Sequence, residues 1–331
     1  MRITIVGAGA MGGFVGTRLA GTGEHAVSAF ARGATGEALR SHGWRARSGG
    51  VAMQAPCAMA TDDAHALGPQ DLVIVALKAQ HLPEVAPRLT PLLAAHTRVL
   101  SLMNGVPWWF THGLATAGDA PLASVDPDGG IARALPPEAT LGGVLHMAGS
   151  TAEPGVAEHR FGMGIILGEA TRRALTAPGA KATEVMRALT AAGFDVTLSP
   201  DIRRDVWYKL WGNMTINPIS VLTGSLSDAL LTDPPVRDFI TACMHEAAAI
   251  GERLGCPVDQ TPEDRHQVTL RLGAFKSSML QDAEAGRTLE LDALVGAPRE
   301  LGGRVGVPTP NLDALFALTR LHARERGLYP R

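Results

Sequence analysis

Ile3-Thr4-Ile5-Val6-Gly7-Ala8-Gly9-Ala10-Met11-Gly12 opens the chain, and its reading decides the fold. An apolar, β-branched run leads into glycines at the first, third and sixth places of a turn, and Gly13 to Ala20 then suits a helix. Each glycine has a separate physical use in that setting. Gly7 permits the tight turn, Gly9 lets the backbone approach a diphosphate, and Gly12 lets helix and strand pack closely. The helix N-terminus adds unbonded N–H groups and the positive end of a dipole. A glycine-rich turn without a ligand is the alternative, and the strand and helix on either side speak for dinucleotide binding.

Outward from this turn, short β-branched runs alternate with helical stretches: Ala26 to Phe30, Leu72 to Leu77, and Arg98 to Leu102. That rhythm predicts a parallel sheet with crossover helices, an α/β fold of the doubly wound Rossmann type. The Leu72 run has no polar alternation, as expected of a strand covered on both faces. Gly142 to Ala148 and Gly164 to Leu167 read as further strands, Lys181 to Gly193 as a helix, and Val196 to Leu198 as a last short strand. Beyond Pro200 the pattern turns helical: Val206 to Asn217, Pro235 to Leu254, Pro262 to Gln281, Glu290 to Val305 and Asn311 to Arg326. The expected organisation is therefore a dinucleotide domain over residues 1–199 and an all-helical substrate domain over 200–331, a division that the length of 331 residues favours.

Three loops leave the ends of predicted strands, where ligands collect in open α/β sheets. The second strand ends Ala29-Phe30-Ala31-Arg32-Gly33, without the carboxylate that would accept a ribose 2′-hydroxyl. Arg32 instead offers a planar fork able to take a 2′-phosphate, so NADPH is expected over NADH, although a plain solvent-facing arginine fits the sequence too. Lys78-Ala79-Gln80 and Asn104-Gly105-Val106 follow the next two strands and are candidate cofactor-lining loops. Their plain readings are an exposed helix-start lysine and an ordinary Asn-Gly turn.

The composition narrows the partners. A hydrophobic content of 46%, 19% charged residues and a formal net charge of −2 provide no field for nucleic acid or an anionic membrane. Cys57, Cys243 and Cys256 show no CxxC spacing and read as small buried apolar residues in a reducing compartment, so a cytoplasmic monomer or homodimer is expected. No apolar run reaches membrane length. His245-Glu246 continues into alanines, so no HExxH zinc pair is present, and no G-x-S-x-G elbow points to hydrolysis.

In the helical half, Lys209, Asn213 and Asn217 recur at intervals of four in an otherwise apolar stretch, Trp207 to Pro218, and so share one helix face. Burying a lysine and two amides costs several kcal/mol unless each finds a partner. The stripe is therefore a ligand surface or a structural hydrogen-bonded network. A second stretch, Ser277-Ser278-Met279-Leu280-Gln281-Asp282 followed by Leu289-Glu290-Leu291-Asp292, has nothing in its composition that makes it catalytic. Read alone, Glu290 is a first-turn helix acid and Asp282 a surface carboxylate.

Taken together, GAGAMG at 7–12, K-x3-N-x3-N-P at 209–218 and SSMLQD followed by LELD resemble the ketopantoate reductase family over nearly the whole chain. The resemblance implies a Rossmann domain joined to a helical domain and NADPH-dependent reduction of 2-dehydropantoate to pantoate, a step of pantothenate biosynthesis. It also implies roles. Lys209 is the general acid; Asn213, Asn217 and Ser278 hold substrate; Glu290 contacts the nicotinamide end of the cofactor. Asn104 stands between nicotinamide ribose and substrate, Arg32 at the 2′-phosphate, and Ala148 makes a backbone contact to cofactor, beside the turn Gly7, Ala8, Gly9, Ala10, Met11, Gly12 and Lys78.

Two departures bear on the substrate. Ser227 stands where some relatives place another substrate-binding asparagine, and Asn104-Gly105 runs into Val106-Pro107-Trp108-Trp109, two tryptophans that would reshape a pocket beside them. Two rival readings follow: a reductase of the same scaffold acting on a different 2-oxo or 2-hydroxy acid, and a non-catalytic NADP(H)-sensing module. An intact lysine, amide stripe and glutamate argue against the second, since a sensor has no use for a proton donor.

Overall fold

The computed structural model describes residues 1–118, 120–171 and 180–330. The chain divides into two compact units, Met1–Met103 with Gly130–Asp205, and Asn104–Gly129 with Val206–Arg331. The sequence-based division near residue 200 made no provision for the 104–129 segment, which lies in sequence between two strands of the first unit yet packs with the second.

The first unit is built on one sheet. Its strands are β1 (Arg2–Val6), β2 (Ala26–Phe30), β3 (Trp44–Ser48), β4 (Val51–Ala55), β5 (Ala60–Thr61), β6 (Leu72–Val75), β7 (Arg98–Ser101), β8 (Thr140–Glu153), β9 (Val156–Glu169) and β10 (Asp195–Leu198). They run in the order β4-β3-β9-β8-β7-β6-β1-β2-β5, with β10 also on β9. From β5 through β2, β1, β6 and β7 to β8 every neighbour is parallel, while β8–β9 and β3–β4 are antiparallel. Leu72, Val73, Ile74 and Val75 are at most 1% exposed, which is why β6 carries no polar alternation.

The helix after the glycine turn, Ala10–Gly21, is buried along Gly12 to Thr17. A side chain at Gly16 would stand 2.6 Å from the Trp44 ring. Trp44 fills that space and donates its Nε1–H to the Val27 carbonyl at 3.1 Å, tying the β3–β4 hairpin to the helix and to β2. This hairpin had no sequence signal that we read, because β3 alternates a tryptophan and an alanine inward with arginines outward. The β8–β9 hairpin is likewise longer than expected, since glycines dilute its apolar pattern.

The second unit is helical. Trp207 and Trp211, on the Ile202–Thr223 helix, donate their indole N–H groups to the carbonyls of Ala247 and Met244 on the Pro234–Leu254 helix, at 3.1 and 2.8 Å. Both rings are 1% exposed, and Gly251 leaves room for Trp207, whose Nε1 would be 2.4 Å from any Cβ there. Two residues along a helix turn by about 200°. The tryptophans that anchor this helix therefore put Lys209 and Asn213 on its opposite face.

Two expected helices are corrected. Pro262 to Gln281 is interrupted: one helix, Pro262–Arg271, ends before Gly273 at φ +76°, and a second, Ser278–Glu284, restarts on a Ser277 cap. Ser277 accepts the Leu280 N–H at 3.0 Å, which fixes the new start. Glu290 to Val305 is helical only from Leu291, as a wide turn over Asp292–Gly296 that narrows to an α-helix at Ala297–Val305. Pro298 lacks the N–H that a regular helix would direct to the residue 294 carbonyl, and the wide turn precedes it.

Candidate active site

Each unit carries its own group of candidate site residues. In the first, Gly7, Ala8, Gly9 and Arg32 line one cavity of about 220 Å³. The space around each glycine differs. Gly7 has φ +95°, and a Cβ there would be 2.8 Å from Leu77 Cδ2; a Cβ at Gly12 would be 2.1 Å from the Gly7 carbonyl oxygen. At Gly9 an added Cβ meets nothing within 4 Å, so the protein itself leaves this position open. No side chain caps the helix that begins at Ala10. An open approach to an uncapped helix start is what a diphosphate requires, and the residues present fit one.

Met11 reaches Gly149, whose Cβ would lie 2.8 Å from Met11 Cε. Ala148, next in β8, is exposed and pairs with Phe161 at a register shift. Ala10 is partly exposed in the first turn. Lys78 precedes a short 3-10 turn, Ala79–His81, and His81 lines the same cavity as Arg32. Burial, then the charges of Lys78 and Arg32, hold the His81 pKa below its ordinary value. Arg32 is exposed and lies 3.5 Å from Glu84.

In the second unit, Lys209 Nζ donates to Asn104 Oδ1 at 2.9 Å. Burial pushes the Lys209 pKa down to about 8; Glu290 opposes this by attraction and Arg265 adds to it by repulsion. Glu290 is itself only 8% exposed. Lysine, asparagine and glutamate from three distant parts of the sequence thus form one electrostatic group. The loop that presents Asn104 is held by Gly105, at φ +79°, where a Cβ would stand 2.7 Å from the Cβ and carbonyl oxygen of Ala293, and by the Val106 N–H on that carbonyl at 2.9 Å.

Asn213 and Asn217 continue the Lys209 face; Asn217 is 5% exposed and Asn213 partly so. Among the described residues no side-chain hydrogen bond satisfies either amide. Ser278 is exposed at the first position of its helix. Its neighbour Ser277 is bonded through its hydroxyl to Ser220 at 2.7 Å, and Ser220 donates to the Asn217 carbonyl at 2.7 Å. The helix start that carries Ser278 is so pinned one turn beyond Asn217.

The two departures lie at buried positions. Trp108 and Trp109 are 5% and 1% exposed, part of the second unit's interior. Ser227 is 1% exposed; its hydroxyl donates to the Gly273 carbonyl and accepts the Phe275 N–H, both at 3.1 Å. It clasps the loop leading to Ser277. Cys57, Cys243 and Cys256 are free thiols, the last two buried; burial pushes Cys57 up to about 11 and Cys243 up to about 12. Among the described residues no helix is long and apolar enough to cross a membrane and no cluster could hold a metal ion.

Comparison with known proteins agrees over the whole chain. The ketopantoate reductase PanE/ApbA family model matches residues 3–172, and the ketopantoate reductase PanE/ApbA C-terminal model matches 201–323. A 2-dehydropantoate 2-reductase of Mesorhizobium japonicum is 41% identical over 334 residues, covering 99% of this chain and 100% of that one. A crystal structure of a candidate ketopantoate reductase from Ralstonia solanacearum MolK2 superposes with a TM-score of 0.92 at 48% identity, covering 99% of both chains. A PanE/ApbA-family ketopantoate reductase from Ralstonia eutropha JMP134 follows at a TM-score of 0.83 and 25% identity, covering 99% and 100%. With two family models spanning both units and a full-length relative at this identity, the chain belongs to the ketopantoate reductase family and is an oxidoreductase.

Proposed function

We propose that the chain reduces 2-dehydropantoate to pantoate with NADPH, with Lys209 as the proton donor. The observation that carries this is the buried ammonium of Lys209, fixed on Asn104 and drawn to a pKa of about 8. A lysine at that value is roughly nine-tenths protonated at pH 7 yet far more acidic than an exposed one. Such a group suits protonation of an alkoxide as it forms. When bound, the nicotinamide supplies a hydride to the carbonyl carbon.

The chain's own residues do the rest. Lys209 donates a hydrogen bond to the ketone oxygen and gives up its proton there, a contribution of typically about 10²–10⁴-fold. Asn104 holds the ammonium's direction, and Glu290 keeps it charged against burial. The amides of Asn213 and Asn217 and the hydroxyl of Ser278 each offer a donor and an acceptor, as a carboxylate and a hydroxyl on one small substrate require. Gly7 to Gly12 seat the diphosphate, Arg32 takes the 2′-phosphate, and Lys78 and Ala148 line the cofactor.

We take the enzyme to work in the cytoplasm, where a reducing pool keeps thiols such as these free. The test is loss of NADPH absorbance with 2-dehydropantoate as sole acceptor, repeated with NADH and with bulkier 2-oxo acids. Turnover of a bulkier acid in preference to 2-dehydropantoate would reassign the substrate, and no turnover of any would remove the reading.

A further inference from the structure

The nucleotide cavity holds a carboxylate and a second arginine that the end of β2 does not reveal. Strand β5 lies parallel to β2 with Ala60 beside Ala29 and Thr61 beside Phe30, and the Ala31 N–H donates to the Thr61 carbonyl at 2.9 Å. The next residue, Asp62, therefore stands at the level of Ala31 and Arg32, and it lines the same cavity as Gly7, Gly9 and Arg32. In folds of this class the acid that reads a ribose 2′-hydroxyl sits at this level. Here the neighbouring strand supplies it.

Arg88 lines the same cavity. Its guanidinium is held by three contacts: a 2.7 Å hydrogen bond to the Asp62 carbonyl, an ion pair to the Asp62 carboxylate at 3.9 Å, and the face of Phe30, whose centroid is 5.2 Å away. Arg32 has a similarly loose pair, 3.5 Å from Glu84. Both cations are thus placed at the cavity, and each is tied to a carboxylate by a contact longer than the roughly 2.7–2.9 Å of a good charge-assisted bond. Exposed ion pairs of this length contribute little, and a guanidinium with five N–H donors can keep the 2.7 Å bond to the Asp62 carbonyl while turning other N–H groups to a phosphate. Asp62, loosely paired and exposed, keeps carboxylate lone pairs open as acceptors.

We infer that Asp62 and Arg88 are the cofactor-selecting pair of this cavity, Arg88 serving with Arg32 as a second ligand of a 2′-phosphate and Asp62 accepting a ribose 2′-hydroxyl, so that NADPH is preferred and NADH is also bound. This rests on the dinucleotide reading proposed above and adds the residues that set its selectivity. Both side chains are exposed, at 41% for Arg88 and 60% for Asp62, so their replacement leaves the fold intact.

The experiment is equilibrium binding of NADPH and of NADH, followed by nucleotide fluorescence, to the full-length protein and to its Arg88→Gln, Arg88→Lys and Asp62→Asn variants. Arg88→Gln is expected to weaken NADPH roughly tenfold or more while NADH stays within about twofold, and Arg88→Lys to recover part of the loss through its charge. Asp62→Asn is expected to weaken NADH several-fold and to leave NADPH unchanged or tighter. A merely structural pair would lower both nucleotides together in every variant, and that outcome overturns the inference. So does an unchanged ratio in Arg88→Gln. Wild-type protein that binds neither nucleotide would remove the dinucleotide reading itself, and the inference with it, which is a distinct result.

Discussion

Lys209 Nζ meets Asn104 Oδ1 at 2.9 Å although 105 residues of sequence separate them. The bond gives the ammonium a fixed direction in a place where burial alone disfavours its charge. The chemistry proposed for this chain depends on that combination.

The first prediction concerns pH. A general acid must be protonated, so kcat/KM falls as pH rises through the Lys209 pKa, about 8. Arg265 repels the ammonium and Glu290 attracts it. Arg265→Gln should move the alkaline limb to higher pH and Glu290→Gln to lower pH, each by up to about one unit. Limbs that stay in place in both variants would show that another group titrates. The same shift enters stability with a definite sign. Between about 8 and the unfolded value of 10.5 the unfolded chain binds the extra proton, so this lysine makes the fold gain stability as pH rises through that window.

The second separates chemistry from binding. Lys209→Ala should cut turnover by roughly a hundredfold or more and leave the NADPH dissociation constant within about twofold. Equal losses in both, measured by steady-state kinetics and nucleotide fluorescence, would mean that the side chain supports the fold and not the reaction.

The third exploits two glycines of one turn. Gly9→Ala meets no protein atom within 4 Å, whereas Gly12→Ala would place a Cβ 2.1 Å from the Gly7 carbonyl oxygen. Gly9→Ala should therefore keep the wild-type melting temperature and lose cofactor affinity. Gly12→Ala should lose about 2 kcal/mol or more of stability, seen as a lower Tm without any ligand present. A normal Tm for Gly12→Ala would contradict the close helix–strand contact.

The fourth concerns Gly105. With φ +79° and Ala293 2.7 Å from any Cβ, Gly105→Ala is strained twice over and should cost about 1–3 kcal/mol. The loop that yields is the one presenting Asn104, so kcat should fall further than stability alone explains. Catalysis that survives while Tm drops would release Asn104 from its role.

The fifth concerns the clasp at Ser227. Ser227→Ala removes a hydroxyl that serves both the Gly273 carbonyl and the Phe275 N–H, at a cost of about 1–3 kcal/mol. The loop it frees leads to Ser278, so KM should rise with kcat little changed. A rise in neither Km nor unfolding rate would show the clasp to be idle.

The parallel centre of the sheet was legible because its strands are uniformly apolar and its opening turn carries glycines at 7 and 12 that the packing requires. The Lys209 face was legible from spacing alone: a stripe of period four needs no tertiary information. What escaped is what a neighbour supplies. Strand β5 has two residues, too few for any periodicity, yet through its pairing with β2 it brings Asp62 to the place where β2 lacks an acid. Trp44 packs into the space left by Gly16, a pairing of residues 28 apart that no local pattern announces. The break at Gly273 was hidden because the residues around it still follow a helical period, and only the Ser227 clasp shows why the chain leaves the helix there.

The chain passes from one compact unit to the other at residues 103–104, 129–130 and 205–206. A recombinant fusion spliced at residue 200 would inherit the Lys209 ammonium from one parent and its amide anchor from the other. Shuffling this scaffold between relatives therefore calls for exchange of the 104–129 segment together with everything after residue 205, as one inherited block.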